Sequence, residues 1–178
     1  MAAGAGAWLP HGNLSRLGNH PSIGLLFLLG SGRFYIGLAY DFRLGNTPAA
    51  YTYYNPNTVA VERTVSFFGM LFGPDFRWEF QRAGSASVFL AAGVGYDMIM
   101  HLAVPRSSGL RSAFSDTVNF NGGLVLRRYF TADHGAFLDL DMRAHTVYFG
   151  SGYYGGDDLS GYYFTVALLA GYRLPFYD

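Results

Sequence analysis

The sequence predicts an all-β protein, an eight-stranded antiparallel up-and-down transmembrane β-barrel that forms one domain over residues 1–178. Three observations predict it: large apolar residues alternate with small or charged ones, short and long connections alternate along the chain, and charge is sparse. The chain is 51% hydrophobic and only 13% charged, whereas about 25% charged residues are usual in a soluble domain. We therefore expect an apolar outer wall that meets lipid.

The alternation is clearest over residues 33–44. Even positions from Phe34 to Leu44 are large and apolar, and odd positions from Gly37 onward are small or charged. The same pattern recurs over residues 87–100 and 138–145. Strands of about 9–11 residues or more, with one apolar face and one face of glycine and charge, are typical of transmembrane barrels.

Turn signals divide the chain into eight strands, which we expect at residues 3–10, 21–30, 33–44, 63–80, 86–100, 116–131, 136–149 and 161–176. Short connections are expected near residues 30–32, 81–84 and 132–135, and long ones over residues 11–20, 45–62, 101–115 and 150–160. Tight turns at one end and longer loops at the other are typical of outer-membrane barrels. Pro74 predicts a bulge or kink in the fourth strand. The first strand is rich in alanine and glycine, so its side chains give the weakest alternation pattern of the eight strands.

Aromatic residues on the apolar face mark the two expected membrane interfaces. Rings at strand ends with aliphatic groups between them predict a pair of aromatic girdles. The predicted girdle residues are Phe34, Tyr40, Phe42, Phe76, Trp78, Phe80, Tyr162, Tyr172 and Phe176. A soluble sandwich or lipocalin-like barrel is the alternative, but glycines occupy positions on the second face where a soluble surface normally carries Lys, Glu and Thr.

The second face predicts a charged barrel interior. It carries six acids, five arginines and a histidine: Asp41, Arg43, Asp75, Arg77, Glu79, Asp97, Arg127, Asp139, Asp141, Arg143, His145 and Arg173. An eight-stranded barrel is just wide enough for its side chains to fill it, and unpaired charges there cost about several kcal/mol each. We therefore expect paired networks, with His145 beside Asp141 or Asp41, and a gated or water-filled conduit as the alternative.

Several functions are disfavoured by composition. Cysteine is absent, which excludes disulfides and thiolate chemistry, and the five scattered histidines predict no metal site and no cofactor. Net charge is zero, without a basic stripe, so no nucleic-acid partner is expected. Residues 1–7 lack the features of a secretory signal, and we expect a mature chain from which such a segment has been removed.

Two features suggest contact with other molecules. Tyrosines are concentrated in two expected loops at Tyr51, Tyr53, Tyr54, Tyr153 and Tyr154, a composition found in recognition surfaces, although they could equally extend the aromatic belt. The first strand alternates Ala3, Ala5 and Ala7 with glycine. Small residues let another backbone approach closely, so the seam between the first and last strands is a candidate site for a partner protein or a second copy, with a plain closing strand as the alternative.

The whole chain resembles the small eight-stranded outer-membrane β-barrel proteins, the class of the OmpA transmembrane domain and OmpX. The most specific part is the C-terminal segment from Gly171 to Phe176, which is similar to the terminal strand signal read by the barrel-assembly machinery. The resemblance implies the outer membrane of a Gram-negative-type bacterium, with lipid and lipopolysaccharide as surroundings.

The function expected is that of a structural or interaction protein whose long outer loops or lipid-facing wall engage a partner. A small-solute or ion channel is the second alternative. A lipid A-modifying enzyme is the third, based on His145 with Ser151 or on His101 with Ser107, Ser108 and Asp97. Ser, His and a carboxylate must lie within hydrogen-bond reach for such chemistry, and His145 is not followed by the pattern of the lipid A deacylases. We therefore expect no enzymatic activity.

Overall fold

The computed structural model describes residues 1–47, 65–101, 114–131, 134–147 and 161–174. In this part of the chain eight antiparallel strands form a closed barrel, and each strand pairs with its neighbours in chain order. The strands are β1 (Ala2–Gly12), β2 (His20–Ser31), β3 (Phe34–Thr47), β4 (Val65–Ala83), β5 (Ala86–His101), β6 (Phe114–Tyr129), β7 (Ala136–Val147) and β8 (Gly161–Tyr172). The predicted fold is confirmed, with strand limits that differ from the expected ones by a few residues.

The three short connections lie at one end of the barrel, which we call the turn end, and the opposite end is the loop end. β2–β3 and β4–β5 are joined by two-residue turns that begin at Gly32 and Gly84, with φ of 61° and 57°. Glycine with positive φ at the first loop position is the arrangement of a type II′ turn, whose twist suits paired strands. The described residues contain no helix that is long and apolar enough to cross a membrane.

The two faces of the strands segregate as predicted. On β7, Asp139, Asp141, Arg143 and His145 are buried, whereas Leu138 and Ala144 at alternate positions are exposed. Large apolar side chains cover the outside, with Leu29 64% and Leu168 54% exposed. The buried side chains are thus inside the barrel, and the apolar surface is outside.

Pro74 interrupts the strand pairing with β5, as expected from its missing N–H, but the register shift of a bulge is absent at this position. It pairs with Leu38 of β3, while the ladder with β5 skips Gly73 and Pro74 and resumes at Asp75 in the same register. Proline has no N–H to donate, so pairing is lost locally without a shift. The register shift of β4 occurs instead between Glu79 and Gln81, which makes Phe80 the extra residue of a β-bulge.

The small residues of β1 allow the barrel to close. β1 pairs with β8 from Ala2↔Gly171 to Gly12↔Gly161. A Cβ built on Gly4 would lie 2.8 Å from the Cα of Leu169, closer than real side chains come to backbone. Glycine at this position is therefore required by the close approach of β8.

Candidate functional site

The barrel interior collects the charged residues that the alternation predicted there. Ten of the twelve are buried: Arg43, Asp75, Arg77, Glu79, Asp97, Arg127, Asp139, Asp141, Arg143 and His145. Asp41 is half-buried with a side chain 18% exposed, and Arg173 is exposed. The buried members form connected ion-pair networks rather than isolated pairs.

The central network joins two arginines to three carboxylates across the barrel. Arg77 donates to Asp139 at 3.0 Å and to Asp141 at 2.7 Å. Arg143 donates to Asp141 at 2.8 Å and to Asp75 at 2.8 Å. Each guanidinium therefore bridges strands β4 and β7, a role that its planar fork of donors suits.

A second network lies nearer the loop end around Arg43, which is fully buried. Its guanidinium donates to Asp97 at 3.0 Å, to Asp41 at 3.0 Å and to the Tyr163 hydroxyl at 2.8 Å. The Tyr163 hydroxyl donates in turn to Asp97, and Asn119 Nδ2 donates to the same carboxylate. Two carboxylates share one arginine here, and neutral donors supply the remaining hydrogen bonds.

His145 contacts neutral groups instead of the expected carboxylates. Its Nδ1 lies 3.2 Å from Asn119 Oδ1, and its Nε2 lies 2.9 Å from Thr165 Oγ1. The ring also stacks on Tyr163 with centroids 4.3 Å apart. The expectation of Asp141 or Asp41 as its partner was wrong, because the carboxylates face the arginines and the stagger of β8 brings Thr165 beside the ring.

Arginine is also stacked on aromatic rings near the turn end. Arg127 forms a bidentate pair with Asp139, at 2.7 and 2.9 Å, and its guanidinium carbon lies 3.8 Å from the Phe137 ring centroid and 4.9 Å from that of Phe89. Arg173 does not join this network as expected, because β8 ends at Tyr172 and leaves the next side chain at the rim.

Glu79 is held at the turn end by its own strand and by β5. Arg82 donates to both of its carboxylate oxygens, and Ser87 Oγ donates to Oε1. Together with the layer around Arg127, these side chains pair the buried charges at this end of the barrel.

An apolar cluster closes the loop end, and we call it the plug. It consists of Trp8, Leu14, Leu17, Ile99, Val147 and Tyr163. Leu14 and Leu17 come from a short 3₁₀ helix, Asn13–Leu17, in the connection after β1, and His20 Nε2 donates to the Leu17 carbonyl oxygen. Arg43 lies below the plug, 5.3 Å from the Trp8 ring centroid, so the polar interior is separated from the loop end.

A cavity of about 80 Å³ remains in the middle of the interior. Small residues such as Gly24, Ala39 and Gly73 line it together with Asp75 and Arg143. Asp75 Oδ1 is buried and has no hydrogen-bond partner among the described residues. A space of this size beside buried charged groups accommodates water, which would donate a hydrogen bond to that oxygen.

The predicted girdle residues lie on the outside of the barrel. At the turn end Phe34 stacks on Trp78 with centroids 6.4 Å apart, with Tyr172 48% exposed on β8. Near the middle of β3, Tyr40 stacks on Phe72 with centroids 6.3 Å apart, so this pair lies between the two ends. The other described girdle residues are Phe42, Phe76, Phe80 and Tyr162, which also face outward.

Some predicted sites lie outside the described residues. They are Phe176, the loop tyrosines Tyr51, Tyr53, Tyr54, Tyr153 and Tyr154, and Ser107, Ser108 and Ser151, the proposed serine partners of His101 and His145. The described residues hold no group of three or more His, Asp or Glu side chains suited to a metal ion.

Sequence reasoning missed several residues that complete the interior. Trp8, Tyr163, Asn119 and Thr165 all belong to inward-facing positions of their strands. Their alternation with outward neighbours predicts that they face inward, but the predicted interior included only charged side chains and histidine. The plug residues of the 3₁₀ helix carry no such signal, because they lie in an expected loop.

Comparison with known proteins supports the architecture. The chain matches no family model, and no curated protein is similar to it in sequence. Among solved structures, the crystal structure of Neisserial surface protein A is similar, with a TM-score of 0.64 over 97% of this chain and 93% of that chain. The two sequences are 12% identical, so the similarity establishes a shared barrel fold.

Proposed function

We propose that this protein is an integral outer-membrane β-barrel of a Gram-negative-type bacterium that acts as a structural or interaction protein and does not conduct. The observation that carries the proposal is the combination of an apolar outer wall with an interior filled by paired charges and closed by the plug. A porin leaves an aqueous channel, whereas a barrel of eight strands has room for little more than its own side chains.

Lipid and lipopolysaccharide are the first partners that this function implies. The outward side chains of β2, β3 and β8 are mainly apolar and exposed, which suits contact with the hydrocarbon core of the membrane. The aromatic girdles suit its two interfaces. A further protein partner would be engaged by the loop tyrosines, by the outer wall, or by the seam between β1 and β8, where the outward residues of β1 are small.

The second candidate function, a small ion channel, is favoured by the cavity beside Asp75, which gives the middle of the interior space for water. Planar-bilayer recording distinguishes the two functions. We expect no conductance, or small irregular steps, because Arg43, Arg77 and Arg143 cross the interior in ion pairs. Large and stable conductance would contradict the proposal and favour the channel.

A lipid A-modifying activity is the third candidate, and the contacts of His145 argue against it. The ring is buried, stacked on Tyr163 and bonded to neutral groups, so no carboxylate among the described residues orients it as a general base. Lipid A from cells with and without the protein, compared by mass spectrometry, should be identical. A difference that disappears with His145→Ala and Ser151→Ala would establish an enzyme.

Isolation from native membranes identifies a partner protein. Affinity purification after mild cross-linking should recover the same partner with wild-type protein and with Arg33→Ala, a control at an exposed residue in a short turn. Replacing Tyr51, Tyr53 and Tyr54 by serine should lower its recovery if the loop is the contact. Unchanged recovery would indicate that the partner contacts the outer wall or the seam instead of this loop.

A further inference from the structure

A second cavity, of about 360 Å³, opens at the turn end of the barrel. Its lining is mainly apolar and includes the inward residues Leu26, Leu28, Tyr35 and Phe137. Mostly apolar cavities of about 300–1,000 Å³ with a few polar groups are the usual form of small-molecule sites, and the mouths of β-barrels are a common location. The cavity therefore has the size and character of a ligand site.

The polar groups of this cavity suit an anion. Arg127 and Arg173 both line it, and no acidic residue does. Asp139 neutralises Arg127 through two hydrogen bonds, whereas exposed Arg173 forms no ion pair with the described residues. The Tyr35 hydroxyl is buried and has no hydrogen-bond partner in the described part of the chain, so it is available to donate to an acceptor.

The cavity also continues onto the outer wall. Phe27, Leu29 and Leu38 contribute to its lining, and all three are exposed on the outside of β2 and β3. A ligand that is dissolved in lipid could therefore enter from the wall. The volume is near the lower end of the range for ligand sites, which favours one acyl chain over the two chains of a phospholipid.

We propose that this cavity binds a single-chain fatty acid. The acyl chain lies among Leu26, Leu28 and Phe137, and the carboxylate is held by Arg173 at the rim and by the Tyr35 hydroxyl. The site is separate from the plug and from the network around Arg43, and it leaves the ion pair of Arg127 with Asp139 in place, so it does not depend on whether the barrel conducts or binds a protein partner.

Photolabelling tests the site. Protein refolded in phosphatidylcholine vesicles is irradiated with two diazirine probes of equal chain length, one a fatty acid and the other an alkyl trimethylammonium. Mass spectrometry should place the fatty-acid labels on Leu26, Leu28 and Phe137, about fivefold or more above those of the cationic probe. Labels confined to the outer wall, or equal labelling by both probes, would overturn the proposal.

Variants separate specific binding from partition into lipid. Arg173→Glu should lower fatty-acid labelling about fivefold or more, and Tyr35→Phe should lower it about twofold to tenfold. Arg33→Glu is the matched control, because Arg33 is an exposed arginine in a turn at the same end that does not line the cavity, and labelling should be unchanged. Equal labelling of wild type and Arg173→Glu would reject the site.

A cavity-filling change provides an independent test. Leu28→Trp should abolish inward labelling, with barrel folding verified by heat-modifiable migration on gels. If this variant does not fold, Ala2→Leu fills the same space from β1 with a smaller side chain. Persistent inward labelling in a folded filled variant would overturn the proposal, as would stronger labelling after removal of residues 175–178, since the chain itself would then be the occupant.

Discussion

At the residue scale, Arg43 is the side chain whose loss should be most costly. It has no exposed surface and forms hydrogen bonds with Asp41, Asp97 and Tyr163. Arg43→Met would leave two carboxylates without their cation, and removal of one partner of a buried ion pair costs about 3–5 kcal/mol. We expect a loss of this size in the free energy of unfolding, measured by urea titration in lipid vesicles.

A paired substitution shows whether the cost arises from the charge left behind. Arg43→Met combined with Asp97→Asn should be less destabilising than the sum of the two single changes, because groups in one network are coupled. Arg33→Met, an exposed arginine in a turn, is the control and should change the free energy of unfolding by less than about 0.5 kcal/mol. If the effects of the two single changes add exactly in the double variant, Arg43 and Asp97 are not coupled and the network is contradicted.

The same residues show what a sequence can and cannot predict about an interior. Alternation was sufficient to assign Arg43, Asp97 and His145 to the inner face, because successive side chains of a strand point to opposite sides. Partners could not be assigned, since Arg43 and Asp97 are 54 positions apart in the chain and meet only through the tilt and stagger of the closed barrel. His145 was therefore given the wrong partners.

At the scale of elements, the plug is expected to keep water from the interior. Leu17 is fully buried against Trp8, and loss of a buried leucine side chain costs about 2–5 kcal/mol. In a Trp78→Phe background Trp8 is the sole tryptophan. Leu17→Ala should shift its fluorescence to longer wavelength and increase quenching by iodide, whereas Leu174→Ala at the opposite end should change neither.

The seam between β1 and β8 gives a second prediction for elements. Ala5 pairs with Leu168 and Ala7 with Val166, and these β1 side chains lie on the outer side with little apolar area. Ala5→Leu with Ala7→Leu should change the free energy of unfolding by less than about 0.5 kcal/mol while reducing co-purification of a partner that docks there. Unchanged co-purification would remove the seam as a contact site.

Some elements were predicted correctly from the sequence and others were missed, for physical reasons. Turns at Gly32 and Gly84 were located because glycine provides the positive φ that a tight hairpin needs. Pro74 was expected to remove one ladder hydrogen bond and to cause a bulge or a kink, and the ladder is interrupted there, but loss of one N–H does not require an extra residue. The 3₁₀ helix at Asn13–Leu17 was missed, since its two buried leucines are too few to show a helical period.

At the scale of the whole molecule, the outward apolar wall is the feature that assigns the barrel to a membrane. Leu124, 41% exposed, lies midway along the wall, in a row with Met142 and Val166 of the next two strands. An arginine facing lipid costs about 2–4 kcal/mol at the bilayer midplane and about 0–1 near the interface. In water the same substitution would cost almost nothing.

Leu124→Arg should therefore lower the free energy of unfolding by about 2–4 kcal/mol in vesicles. Phe130→Arg, at the turn end of the same strand and 66% exposed, is the matched control and should cost about 0–1 kcal/mol. Depth is the variable that separates the two sites, because both side chains face outward. Equal and negligible effects would mean that the wall does not meet hydrocarbon, and a larger effect at Phe130 than at Leu124 would mean that the bilayer lies elsewhere along the barrel.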